Sequence, residues 1–276
     1  MGPIPMSITR RSALGLLASA ASARHKSTAF ALIGDRYHNS DYIRTGLREN
    51  IAKGASVSID FCDEVEMLDA ETLQGYKLLI IQRDGMTWPD GYADETSNAG
   101  WVNTGKPALV QDPMPAKRAA KPHYWITPAQ GKAVKDFSQR GGSVLLLHNV
   151  TYISPHNEDF RDVLGAVTEG HPPIRKFKVR VVNNDHPITK GVRDFIVTDE
   201  QHYMTYQKDP KHLLLESVNE DGLTFRTLGA KSAAGWAYDY GKGRVCYLAP
   251  GHLLSVLWNP EFVKLQQNAV RWLMRS

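Results

Sequence analysis

Gly141-Gly-Ser-Val-Leu-Leu-Leu-His-Asn-Val-Thr-Tyr152 is the stretch that decides the fold class. Two glycines make a turn, Val144 to Leu147 is apolar without a break, and a histidine follows at once. A short continuous apolar run between such signals is what a strand covered on both faces requires. Upstream, Thr127-Pro128-Ala129-Gln130 reads as a helix start: threonine caps, proline takes the first helical position and glutamine completes a capping box. That helix turns Val134 and Phe137 inward and stops at Gly141-Gly142. Helix, glycine turn and buried strand together are one step of an α/β crossover.

The same rhythm extends in both directions. Ala29–Ile33, Val57–Phe61 and Lys77–Ile81 are strand candidates, and Ser40 is the expected cap of a helix carrying Ile43, Leu47 and Ile51. Downstream, Phe177–Val181, Phe195–Val197 and Leu213–Leu215 read as strands. Ala234–Tyr240 and Arg244–Leu248, joined by Gly241-Lys242-Gly243, form a hairpin. Asn259-Pro260 caps a last helix whose apolar face is Phe262, Leu265, Ala269, Trp272 and Leu273. Residues 83–126 break the pattern with Trp88-Pro89, Asp112-Pro113, Met114-Pro115 and Lys121-Pro122 and the aromatics Trp88, Tyr92, Trp101, Tyr124 and Trp125. A loop this long acts as a lid or binding segment, or its aromatics merely anchor it to the body. The reading is one α/β domain, mostly parallel, with an antiparallel C-terminal hairpin.

Charge is localised. The net charge of +4 equals the contribution of Arg10, Arg11, Arg24 and Lys26, since residues 1–34 carry no acid. The remainder balances to zero and has no basic stripe with interleaved aromatics, which argues against a nucleic-acid partner. Arg10-Arg11, a brief apolar run and Ala21-Ser22-Ala23 form a twin-arginine export pattern over residues 1–27, leaving a domain over 28–276. Such a start also fits a mitochondrial transit peptide; with the first reading the mature protein is periplasmic or extracellular. The apolar run is too short for a permanent membrane anchor. Cys62 and Cys246 suit buried free thiols, and sequence does not tell whether they pair.

In open α/β sheets ligands bind beyond the carboxyl ends of the strands. Four of the ten histidines fall there: His38, His148, His202 and His252. Leu146 and Val150 flank His148 where a nucleophile elbow needs small residues, and no cysteine is near, which excludes a covalent thiol mechanism. His38, His148, Glu200 and His252 are the candidate catalytic residues, suited to general acid–base work. Asn149, Asp199, Tyr203, Trp236 and Trp258 are candidate substrate contacts, with core packing the competing reading for the two tryptophans. His171-Pro172 and His186-Pro187 read as turns. Imidazole and carboxylate are ordinary metal ligands, and a zinc or other transition-metal ion is compatible with the chain. No compact motif such as H-E-x-x-H occurs, so no metal ligand is assigned and the cofactor stays undetermined.

Asp185-His-Pro-Ile-Thr-Lys-Gly191 followed by Asp199-Glu200, and Gly241-Lys-Gly-Arg-Val245 followed by Gly251-His252, resemble the ThuA-like (trehalose utilisation) family. Gly142 to His148, Tyr37-His38, Gly165 to His171, Trp258 and Arg271-Trp272 continue the resemblance from about Thr28 to Arg275. It implies the three-layer, flavodoxin-like sheet of class I glutamine amidotransferases without their cysteine. It further implies carbohydrate metabolism, with oxidised (keto) glycosides as substrates. The chain departs from the family in the long 83–126 segment and in Asp199-Glu200-Gln201-His202-Tyr203, where Gln201-His202 is inserted. Three functions follow as expectations. The first is a sugar isomerase, lyase or hydrolase in which His148 and His38 move protons. The others are a non-catalytic sugar-binding protein and a metal-dependent hydrolase. The partner is a small carbohydrate, and a homo-oligomer is compatible with the sequence.

Overall fold

A computed structural model describes residues 27–88 and 121–275. The candidate export segment and most of the 83–126 stretch, Tyr92 and Trp101 included, lie outside the described residues. The first strands are β1 (Ala29–Ile33), β2 (Ile59–Cys62), β3 (Leu78–Gln82), β4 (Met86–Thr87), β5 (His123–Tyr124) and β6 (Ser143–Leu147). After them come β7 (Ala166–Gly170), β8 (Arg175–Val181), β9 (Phe195–Asp199) and β10 (Tyr203–Tyr206). The chain ends its sheet with β11 (Leu213–Val218), β12 (Lys231–Tyr240) and β13 (Gly243–Leu248). The α-helices are α1 (Ser40–Leu47), α2 (Pro128–Gln139), α3 (Glu158–Leu164), α4 (Leu254–Leu257) and α5 (Pro260–Met274).

Nine strands make one sheet in the order β2-β1-β3-β6-β13-β12-β11-β8-β9. The five from β2 to β13 are parallel, and the four that follow alternate in direction. β1, β3 and β6 are buried at every residue, whereas β2, at the edge, is only half-buried. Their near-continuous aliphatic composition is explained by helices on both faces. Arg244 donates to the Trp272 carbonyl in α5, while Trp236 and Tyr238 donate to the Leu164 and Val163 carbonyls in α3. Trp236 pairs with Tyr247, an odd position beside the even Arg244, so α5 and α3 lie on opposite faces. The architecture is the expected three-layer α/β sheet, and the expected hairpin is the inner half of an antiparallel wing.

Local signals account for the joints. Thr127 and Gln130 form the reciprocal capping box, and Asn259 accepts from the Glu261 and Phe262 N–H groups. The first helix is capped one residue earlier than expected: Asn39 accepts from the Asp41 N–H at 2.7 Å, and Ser40 is the first helical residue. Past Leu47 the helix widens into a π-type segment, Arg48–Lys53. Gly243 must be glycine because an added Cβ would strike the Gly142 carbonyl, where β13 starts against the turn before β6. Cys62 and Cys246 are free thiols, not a disulfide. No described helix is long and apolar enough to cross a membrane.

Two proposed substrate contacts belong to this frame. Trp236 is fully buried, donates its indole N–H to Leu164 at 2.7 Å and packs on Tyr247, with ring centres 4.4 Å apart. Tyr203 is buried as well, stacked on Phe225 at 4.7 Å with its hydroxyl 3.1 Å from Asn219. Large rings beside the wing fill the core and cannot touch a ligand, which corrects that reading of both. Trp236→Ala should lower unfolding free energy by about 3–5 kcal/mol. Urea denaturation followed by circular dichroism measures it; a loss under about 1 kcal/mol would show that the site collapses around the cavity.

Candidate functional site

The carboxyl ends of β1, β3, β6 and β13 meet on one side of the sheet. After β1, Asp35 turns the chain: its Oδ1 accepts the N–H groups of Tyr37 at 2.9 Å and His38 at 3.1 Å. The same oxygen lies 2.7 Å from His38 Nδ1. Its Oδ2 accepts from Asn149 Nδ2 at 2.6 Å and from the Asp84 N–H at 3.1 Å. One carboxylate thus binds the ends of β1, β3 and β6 together. Burial would raise the Asp35 carboxyl, but His38 and the donors from Tyr37 and Asn149 hold it down at about 2.

His148 follows β6 with φ +50, a left-handed conformation uncommon for non-glycine residues. It is fully buried, with Nδ1 2.9 Å from the Ala249 carbonyl and its own carbonyl accepting from the Tyr247 hydroxyl at 2.8 Å. After β13, Asp199 Oδ2 accepts the Gly251 N–H at 2.8 Å and Oδ1 the His252 N–H at 3.1 Å. Gln82 donates to the Gly251 carbonyl at 2.9 Å, and Tyr42 to the His252 carbonyl at 2.7 Å. Gly251 has φ +148, and a Cβ there would sit 3.3 Å from the Cβ of His148. Asp199, fully buried, therefore positions the His252 loop and does not face a ligand, which corrects its reading as a substrate contact.

The four candidate catalytic residues converge. His38 Nε2 is 2.8 Å from His252 Nδ1 and 3.2 Å from His148 Nε2. Glu200 Oε2 is 3.3 Å from both His148 Nε2 and His252 Nδ1. A backbone carbonyl can only accept, so His148 carries its proton on Nδ1. Asp35 draws the His38 proton to Nδ1 in the same way. When both rings are neutral their Nε2 lone pairs point at each other, which is repulsive unless a proton or a cation lies between them. Atoms held at about 2.0–2.1 Å from one tetrahedral ion lie roughly 3.3 Å apart, close to the His38–His148, His148–Glu200 and His252–Glu200 spacings, with His38–His252 shorter at 2.8 Å. His38, His148, His252 and Glu200 are thus placed so that they could hold a metal ion. Sequence could not assign these ligands because they come from four separate loops.

Electrostatics follow from the same contacts. Burial opposes ionisation of Glu200, but His148, His202 and His252 around it hold its carboxyl far below the usual range. Burial also disfavours a charged His148, yet Glu200 and Asp199 raise it above an ordinary histidine. His38 is lowered, by burial above all. A cavity of about 260 Å³ opens over the cluster. His38, Asn149 and Glu200 form part of its wall, with Tyr37, Asp84, Met86, Tyr152 and His171. Asn149 thus lines the cavity, whereas Trp258 is exposed and outside it. Trp88, at the start of the long segment, packs edge-on against Tyr37 at 6.3 Å, beside the cavity mouth. Among the described part of that segment, Trp125 is an anchor: it is buried and donates to the Asp84 carbonyl at 2.7 Å.

Asp35, Asp84 and Tyr152 were missed in the sequence, and His171 was read as a turn. The available signal was an acid directly after a strand, in Gly34-Asp35 and Arg83-Asp84. Burial and the neighbouring Asp35 charge push the Asp84 carboxyl up to about 8. An acid raised in the folded state keeps its proton while the unfolded chain loses it, so stability falls with rising pH across that interval. In metal-free protein, Asp84→Asn should match wild type near pH 4. It should exceed wild type increasingly up to pH 8, by up to about 1.4 kcal/mol per pH unit. Chemical denaturation at several pH values tests this, and parallel pH profiles would refute it.

Comparison with known proteins agrees with this fold. The trehalose-utilisation (ThuA) profile matches residues 118–273. No curated protein sequence matches the chain significantly. A putative ThuA-like protein from Parabacteroides merdae is 15% identical, with 90% of each chain covered and a TM-score of 0.60. A second, from Bacteroides uniformis, is 17% identical over 89% of this chain and 90% of that one, with a TM-score of 0.58. A β-galactosidase from a Rahnella species shares the fold over 95% of this chain but 33% of its own, at 14% identity and a TM-score of 0.55. The profile spans more than half of the sequence, and the chain belongs to the trehalose-utilisation (ThuA) family, whose membership supports a carbohydrate-related role.

Proposed function

We propose that the protein is an exported sugar-processing enzyme, an isomerase, lyase or hydrolase of keto-glycosides, built around a zinc-class ion. The observation that carries this reading is the convergence of three imidazole nitrogens and one carboxylate oxygen beneath a cavity. A divalent ion there supplies a Lewis acid able to polarise a sugar carbonyl. His38, His148, His252 and Glu200 hold and orient it, so proton transfer passes to the cavity wall. Asp84, neutral near pH 7, is suited to protonate a departing glycosidic oxygen. The Asp35 carboxylate behind His38 and the Ala249 carbonyl behind His148 fix both rings, as outer partners of metal-bound histidines do. The cavity lies at the small end of ligand sites, which run to roughly 300–1,000 Å³, and suits one sugar ring. Twin-arginine export suits such a centre because the chain crosses the membrane already folded.

A second reading is supported by the 2.7 Å Asp35–His38 contact, an acid–imidazole pair of the kind that orients a general base. In that case His38 and His148 move protons without metal. The two differ in one measurement. Untagged protein purified without chelator should carry stoichiometric transition metal by mass spectrometry, and should convert a keto-glycoside but not its unoxidised parent. His148→Ala should lose bound metal and turnover together, by more than about 100-fold. Undiminished turnover of metal-free protein would refute the metal reading and leave the acid–base one. Absence of turnover with any keto-glycoside would refute both in favour of sugar binding alone.

A further inference from the structure

We propose that His171, His202 and Glu200 form a second divalent-metal subsite beside the first, with Glu200 shared, so that the centre binds two ions. The inference rests on the metal reading above for the first ion only; apart from the shared Glu200, its residues are different.

His202 is the starting point. It is 1% exposed, and neither ring nitrogen has a hydrogen-bond partner. Buried polar groups are nearly always satisfied, so an imidazole with two unsatisfied nitrogens needs an explanation. Packing alone would have favoured an apolar ring. Its Nε2 lies 3.4 Å from Glu200 Oε2, within ion-pair distance but off the hydrogen-bonding direction. His171 meets the same oxygen from the cavity side, its Nε2 3.6 Å away. His171 Nδ1 is 2.9 Å from the Pro172 carbonyl, which keeps the proton on Nδ1 and leaves Nε2 a free lone pair. Three ligand atoms thus gather within 4.8 Å of one another, two of them imidazole nitrogens and one a carboxylate oxygen.

The backbone builds this pair deliberately. β7 and β10 form a separate antiparallel ladder in which Tyr203 pairs with Gly170. His171 and His202 are the next residues outward on the two strands, and their rings stack with centres 5.0 Å apart. Gln201 anchors the approach through Ser217 and the Ala230 carbonyl. Gln201-His202 thus delivers a donor to the far side of Glu200.

Shared carboxylates are the usual bridge in two-metal sites, whose ions lie about 3.5–4 Å apart. Three protein donors in the second subsite leave it a coordination position, as in catalytic zinc sites. His171 and Glu200 line the cavity, so that position faces it. The ligand it would take is a sugar oxygen, with a hydroxyl beside the ketone as the natural second contact.

The untagged chain, stripped and then titrated with zinc by calorimetry with metal analysis after dialysis, should bind two ions. His202→Ala should bind one and keep the tighter site. His171→Gln, a partly exposed position, should do the same, which covers the case in which the buried variant fails to fold. One ion in wild type, unchanged in either variant, would overturn the second subsite while sparing the first. No bound ion in wild type would overturn both.

Discussion

One buried carboxylate holds the centre of this molecule in place. Asp35 accepts from two backbone N–H groups of its own turn, from His38, from Asn149 and from the Asp84 backbone. These donors sit at the ends of three neighbouring parallel strands. A carboxylate with this many partners is stable as an anion even when buried, because each donor replaces a lost water contact. It therefore sets the register of the loops, the orientation of the His38 ring and the tautomer that leaves Nε2 available. Burial, together with the same charge, raises the neighbouring Asp84 carboxyl.

Asp199 does the corresponding work across the sheet. It closes β9, which lies four strands from β13 in the sheet order. In a flat sheet that separation is about 19 Å, yet Asp199 accepts directly from the Gly251 and His252 N–H groups. The antiparallel wing must therefore curl back, helped by strand twist and by the register irregularities between Leu213 and Glu216. Packing of Phe195 against Phe262, with ring centres 6.4 Å apart, holds β9 to α5. Curling brings Glu200 over the histidines from the parallel half. The reactive cluster is a junction between the two halves of the sheet.

Much of the architecture was legible because it is local. The β6 strand and the capping box before α2 were read to the residue, since an apolar run and a threonine–glutamine pair each have one good backbone solution. The position of His38, His148 and His252 at strand ends was legible for the same reason. Asp35 and Asp84 escaped notice because an acid after a strand is common on ordinary solvated loops. Trp236 and Tyr203 were misplaced because an aromatic ring looks the same in sequence whether it lines a pocket or fills a core.

By itself, then, the sequence determined the strands, the helix caps, the exclusion of a cysteine nucleophile and the strand-end placement of the histidines. Each depends on neighbours within a few residues. Only the tertiary structure decided that three imidazole nitrogens and Glu200 meet around one point, that Asp35 and Ala249 choose their tautomers, and that His171 and His202 face the same carboxylate. Those contacts join residues up to 214 positions apart, as between His38 and His252. Their geometry depends on the curl of the sheet, which no short stretch of the chain encodes.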